Sequence, residues 1–209
     1  QVMLGALIQI LPVVAGANLA HPLGLSRLVH GGLTLGVGLL VSAFLSLQTG
    51  FFVAAGVVLV VTLGGFLIAV AQALWGIAST SPTIRGLKLS LLGLAGTAIL
   101  GGMLALGLAW GWALPFPVLA DIHGAWGLAA WAGVLLAAVA YVVVPMFQLT
   151  PGYPARLSWW LPVGLFGLPL VWGGLAWGAP EWVRLVQGLL ALVGALFAGW
   201  TLRLQRRRR

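Results

Sequence analysis

Seven long apolar segments joined by short connections constrain this chain more than any other feature. They lie at about residues 1–19, 28–47, 51–75, 89–110, 122–147, 159–177 and 182–202. The fifth has no charged residue between positions 124 and 147, a helical length of roughly 36 Å that exceeds a ~30 Å hydrocarbon core. Because lipid offers no hydrogen bonds, such segments must satisfy their own backbone groups as helices. The sequence predicts an all-α fold, a polytopic transmembrane helix bundle of about seven helices.

The composition agrees with this fold class. Hydrophobic residues make up 62% of the chain and charged residues only 6%, and the mean hydropathy is +1.14, far from the values of soluble domains. We expect a single transmembrane domain over residues 1–209 with the lipid bilayer as its main partner. The net charge of +8 does not indicate nucleic acid, because half of the basic residues lie in a tail at positions 203–209, where membrane topology explains them.

The charged residues predict an orientation. The only two acids, Asp121 and Glu181, lie on one predicted side of the bundle. The basic residues of the alternate connections and of the tail lie on the other side, at Arg27, Arg85, Lys88, Arg156 and positions 203–209. The positive-inside rule then places these connections and the C-terminus in the cytoplasm. We expect a multi-pass protein of a bacterial-type cytoplasmic (inner) membrane.

A faint internal repeat relates the first segment to the fifth. GALIQILPVVAG resembles AVAYVVVPMFQL and pairs Pro12 with Pro145, which favours two parallel repeats. His123 precedes Pro145 by 22 residues, so its repeat-related position falls about ten residues before Gln1. We therefore expect that an N-terminal part of the protein is missing from this sequence and holds the partner of His123.

Histidines are the candidate site residues. His123 lies at the predicted outer end of the fifth segment, and His30 lies near the predicted cytoplasmic end of the second. The helix face of His30 continues through Thr34, Val41 and Gln48 and is expected to point into the bundle. Neutral imidazole is a common axial ligand of haem in helix bundles. We predict His123 and His30 as cofactor- and metal-binding residues, with structural interfacial histidines as the alternative. His21, in a predicted loop, is expected to face solvent or headgroups.

The predicted positions argue against a single iron shared by His30 and His123. Two axial nitrogens on one iron are about 4 Å apart, because metal–nitrogen bonds are near 2 Å. Opposite helix ends are separated by most of a ~30 Å core. Each histidine would need a partner from the missing N-terminal part or from another subunit, or would have none.

The fifth segment carries a resemblance to the catalytic subunits of the haem-copper oxidase and nitric oxide reductase superfamily. The matching residues are His123, Gly127, Trp131, Tyr141, Pro145, Met146 and Phe147. The resemblance implies haem b and electron transfer in a respiratory membrane. The chain departs from the family pattern at Ala125, where a second histidine is expected, and it lacks a three-histidine cluster for copper. A binuclear reaction centre is therefore not expected.

Two other functions stay open. The chain could be a haem-free accessory or structural subunit that packs against other membrane subunits, as its glycine-rich segments and few polar residues allow. A small-molecule or metal permease is the weaker alternative, because transporters build their sites from broken helices with polar groups at the bilayer midplane. No constellation typical of hydrolysis or phosphoryl transfer is present, so no enzyme class and no catalytic residue are predicted.

Overall fold

Seven helices form the fold in a computed structural model that describes residues 1–178 and 180–207. They are α1 (Val2–Ala15), α2 (Pro22–Ser46), α3 (Thr49–Leu74), α4 (Pro82–Trp110), α5 (Phe116–Gln148), α6 (Ala155–Ala176) and α7 (Val183–Gln205). Among the described residues, the six from α2 to α7 are long and apolar enough to cross a membrane. The predicted all-α transmembrane bundle of about seven helices is confirmed.

Several helices begin earlier than the apolar segments that predict them. α2 begins at Pro22 and α4 at Pro82, because proline is well tolerated in a first helical turn, where no intrahelical N–H bond is lost. α5 begins at Phe116. A charged residue shortly after each of these starts, at Arg27, Arg85 or Asp121, interrupts the apolar pattern, so hydropathy places the beginning of the helix too late.

The chain divides into two compact units, which we describe separately. Unit 1 comprises Gln1–Ile77 and Ala95–His123, and unit 2 comprises Ala78–Leu94 and the described residues of Gly124–Arg209. Both α4 and α5 therefore contribute one part to each unit.

In unit 1, glycines bring α2 close to α3 in an antiparallel pair. A β-carbon at Gly32 would overlap the Thr62 side chain, and one at Gly36 would overlap Leu59. A β-carbon at Gly56 would lie 3.3 Å from Ala105 Cβ, so α3 and α4 also pack through small residues. Since lipid tails are as apolar as leucine, close packing of this kind is a main source of helix association in membranes.

In unit 2, the middle of α5 is a π-helix over Trp126–Gly133. A β-carbon at Gly93 would overlap the main-chain carbonyl of Ala130 within that segment. The Trp126 ring packs edge-on against Phe166 of α6, with centroids 5.5 Å apart. π-helices are rare, and the absence of a side chain at Gly93 is what allows α4 to approach this one.

Three aromatic contacts connect parts of unit 2 that are distant in the sequence. The Arg85 guanidinium lies 5.5 Å from the ring centroid of Trp159 and 5.7 Å from that of Trp160. The Tyr153 ring stacks on Phe197 of α7, with centroids 5.7 Å apart. The Arg85 side chain is thereby held in place by cation–π contacts with two tryptophan rings.

Candidate functional site

The His123 side chain of α5 is fixed against the backbone of α4 within unit 1. Its Nδ1 lies 3.1 Å from the main-chain carbonyl oxygen of Thr97, and the imidazole is partly buried. A carbonyl oxygen can only accept a hydrogen bond, so Nδ1 must carry the proton. In the neutral ring Nε2 then keeps its lone pair, which makes it the nitrogen available to a ligand.

Gly101, one turn after Thr97, makes room for this imidazole. A β-carbon at Gly101 would lie only 3.0 Å from His123 Cε1 and 3.5 Å from Nδ1. The ring therefore occupies a notch on α4 that is lined by the Thr97 carbonyl and the bare backbone of Gly101.

Along its helix His123 lies two turns after the start of α5, and it contacts α4 near the middle of that helix; its place at the outer face of the membrane stays a prediction. Thr97 is near the midpoint of α4, which is 29 residues long, or roughly 43 Å. His123 is beside that midpoint because α5 begins at Phe116 and has already completed two turns before it reaches the histidine. An ionisable residue within a membrane-spanning helix is a candidate functional residue.

An apolar cavity of about 260 Å³ adjoins His123 in unit 1. Most of its lining residues are aliphatic, aromatic or glycine, and Thr97 and His123 are the polar ones. They come from four helices: Leu40 and Phe44 of α2, Gly56, Leu59, Val60 and Leu63 of α3, Thr97, Ala98, Gly101, Gly102, Leu104, Ala105 and Leu108 of α4, and His123 of α5. The arrangement presents a single imidazole to a largely apolar space.

His30 does not line this cavity, and the face expected to point inward is exposed. His30, Thr34, Val41 and Gln48 are all exposed on unit 1, and the Thr34 hydroxyl donates to the His30 carbonyl oxygen at 2.7 Å. The expectation was wrong because α2 turns its other side, which bears Gly32, toward α3. The structure therefore does not bring the two candidate histidines together in this cavity.

The described residues contain no group of three or more histidine, cysteine or acidic side chains that could hold a metal ion. Glu181 pairs with Arg184 at 2.8 Å, and Asp121 is exposed on α5. Any metal bound at His123 would therefore take most of its ligands from a cofactor or from another polypeptide segment.

Sequence reasoning missed two features. One is the π-helical segment Trp126–Gly133, which hydropathy cannot distinguish from α-helix because both are apolar runs. The other is a second cavity in unit 1, of about 420 Å³, which His21 lines together with Asn18 and Gln72. Three polar residues near helix ends were its available signal, but Gln72 is far from Asn18 and His21 in the sequence, and only the fold of α1 to α3 brings it to them.

Comparison with known proteins gives no assignment: no family model, curated protein or solved structure matches this chain. The functional argument therefore rests on the residues themselves. Helix length and hydropathy establish that the chain is a multi-pass membrane protein.

Proposed function

We propose that this chain is a haem-b-binding subunit of a respiratory-type membrane, with His123 as an axial ligand and electron transfer as its role. The observation that carries the proposal is the 3.1 Å contact between His123 Nδ1 and the Thr97 carbonyl oxygen. Metal-ligating histidines almost always donate their other ring N–H to an acceptor of this kind, which fixes the tautomer and the ring orientation. The resemblance of the fifth segment to haem-copper subunits supports the same ligand.

The residues around His123 fit one side of a haem site. The cavity walls are apolar, as a macrocycle requires. The volume of about 260 Å³ is below the ~300–1,000 Å³ of ordinary cofactor sites, so these residues would supply only part of a haem site. No lining residue is basic, so partners for the propionates, and a second axial ligand, would come from outside this cavity.

Each neighbouring group of the chain has a defined part in this proposal. Haem b, when bound, would supply one-electron chemistry at its iron. The Thr97 carbonyl would hold the proton on Nδ1 and aim Nε2, and Gly101 would let the ring lie close to α4. Leu59 and Leu63 would exclude water from the site, and a dry surrounding of this kind is one of the ways in which a protein tunes a redox potential.

The second candidate function is a haem-free accessory subunit, and the exposed face of α2 favours it. His30, Gly31, Thr34 and Gly38 are exposed there, and a β-carbon at Gly31 or Gly38 would meet no atom within 4 Å. Polar and small residues on a membrane-spanning helix usually contact protein rather than lipid. This face would then contact other subunits of a membrane complex.

A reduced-minus-oxidised visible spectrum of the purified full-length protein separates the two functions. We expect a haem b α-band that is lost in His123→Gly and partly restored by added imidazole, because free imidazole can occupy the space of the deleted ring. His30→Ala is expected to keep the band, since His30 lies outside the cavity. A correctly folded parent protein without a haem band in either redox state would refute the haem proposal and favour the accessory subunit.

A further inference from the structure

The second cavity of unit 1 lies between the start of α2 and the end of α3. On α2 it is lined by His21, Gly24, Leu25 and Leu28, whose spacing places them on one helix face. On α3 it is lined by Ala69, Gln72 and Ala73, and residues Asn18, Leu19 and Ala20 of the connection before α2 also line it. Its volume of about 420 Å³ is within the range of small-molecule sites.

The lining of this cavity is amphipathic and contains no acid. Asn18, His21 and Gln72 supply hydrogen-bonding side chains, and the remaining residues are aliphatic or glycine. Amide N–H groups and an imidazole are donors to an anion, while a cation would find no carboxylate. The chemistry of the lining therefore favours an anionic head joined to an apolar tail.

The N-terminus of α2 adds main-chain donors. Pro22 has no N–H, and the Leu25 N–H donates to the His21 carbonyl oxygen at 3.0 Å. The first-turn N–H groups that have no acceptor within the helix are therefore those of Leu23 and Gly24. Gly24 lines the cavity without a side chain, and a β-carbon there would meet only His21 Cβ, at 3.9 Å. Free N–H groups and the positive end of the helix dipole stabilise phosphate.

The polar residues that line the cavity are accessible to a lipid headgroup. His21, Asn18 and Gln72 are exposed, so the cavity is open to the surroundings of unit 1. Trp75, next to the end of α3, is 53% exposed, as is typical of tryptophan at a membrane interface. Arg27, in the second turn of α2, is exposed as well and adds positive potential that attracts anionic lipid.

We propose that this cavity binds an anionic phospholipid. The phosphate is held by the start of α2, by His21 and by the amides of Asn18 and Gln72, and an acyl chain lies along Leu25 and Leu28. A phosphate ester is the chemistry that the donors recognise; the apolar half of the lining distinguishes a lipid from free phosphate. The proposal does not depend on haem binding, which concerns the other cavity of unit 1.

Native mass spectrometry of the full-length protein, titrated with dioleoyl-phosphatidylglycerol, dioleoyl-phosphatidylcholine or inorganic phosphate, tests this inference. Both lipids carry a phosphate ester, but the lining has no carboxylate to pair with choline and the nearby Arg27 attracts net negative charge. We therefore expect retention of phosphatidylglycerol in preference to phosphatidylcholine, with no competition from millimolar phosphate. His21→Ala and Gln72→Leu should each weaken binding about tenfold, the usual effect of removing a hydrogen bond to a charged group. Ser42→Ala is the control, because Ser42 bonds only to its own helix, at Gly38.

Gly24→Leu keeps the test decisive if the polar variants fold poorly. The open space above Gly24 lets the new side chain fill the cavity without moving the backbone, so lipid binding should be lost while the thermal midpoint is retained. Equal binding of the two lipids, displacement by free phosphate, or unchanged binding in Gly24→Leu would each overturn the proposal.

Discussion

Gly93 of α4 lies directly against the main-chain carbonyl of Ala130, inside the π-helical segment of α5. Even the smallest side chain at position 93 would overlap backbone atoms of Ala130 and Trp131. Backbone atoms cannot rotate away as the end of a flexible side chain can. A methyl group at position 93 would therefore force a shift of the backbone in unit 2, which lowers the stability of the fold.

Gly93→Ala should therefore destabilise the protein by about 1–3 kcal/mol, the usual cost of overpacking. Thermal unfolding in detergent measures this effect. Gly124→Ala is the matched control in α5, because a β-carbon there meets nothing within 4 Å, and alanine is the better helix former. Equal thermal midpoints for the two variants would show that α4 and the π-helical segment are not in contact.

Gly31 and Gly32 are neighbours on α2 with opposite surroundings. A β-carbon at Gly32 would overlap Thr62, whereas one at Gly31 is in open space. Gly32→Ala should lower the thermal midpoint by separating α2 from α3, and Gly31→Ala should leave it unchanged or raise it slightly. The opposite ranking would mean that the α2–α3 interface uses the His30 face instead.

Two tyrosines of unit 2 differ in what their hydroxyl groups contact. Tyr153 Oη lies 2.9 Å from Thr201 Oγ1, while the buried Tyr141 hydroxyl has no hydrogen-bond partner among the described residues. Tyr153→Phe should cost about 1 kcal/mol, and Tyr141→Phe should be neutral or stabilising, because it removes an unpaired buried polar group. Thermal unfolding of the two variants compares them, and a larger loss in Tyr141→Phe would reveal a partner for that hydroxyl.

The Thr97 carbonyl should hold His123 in a single neutral tautomer. We expect ¹⁵N-histidine NMR of the haem-free protein to show Nδ1 protonated and Nε2 unprotonated at this residue, with His123→Ala providing the assignment. Gly101→Val, whose β-carbon would press on the ring at 3.0 Å, should abolish that pattern. A Nε2-protonated ring in the parent protein would contradict the hydrogen bond to Thr97.

The sequence by itself determined the class of fold and the number of helices. Charge-free runs long enough to cross a bilayer have only one way to satisfy their backbone groups in lipid, so each run had to be a helix. The same reasoning identified His123 as a candidate, since polar residues near such runs are few. The start of α5 could not be located from hydropathy, because Asp121 interrupts the apolar run and the helix already begins at Phe116.

Only the tertiary structure decided which helix faces meet. Glycines are frequent on both sides of α2, and periodicity alone could not show that the Gly32 side packs on α3 while the His30 side is exposed. The notch at Thr97 and Gly101 and the cavity lined by Asn18, His21 and Gln72 likewise depend on residues far apart in the chain. In lipid, apolar residues lie both on the faces that contact other helices and on the faces that contact lipid, so hydropathy does not identify the contacting face. That face is selected by close packing of small residues, which depends on both helices of a pair.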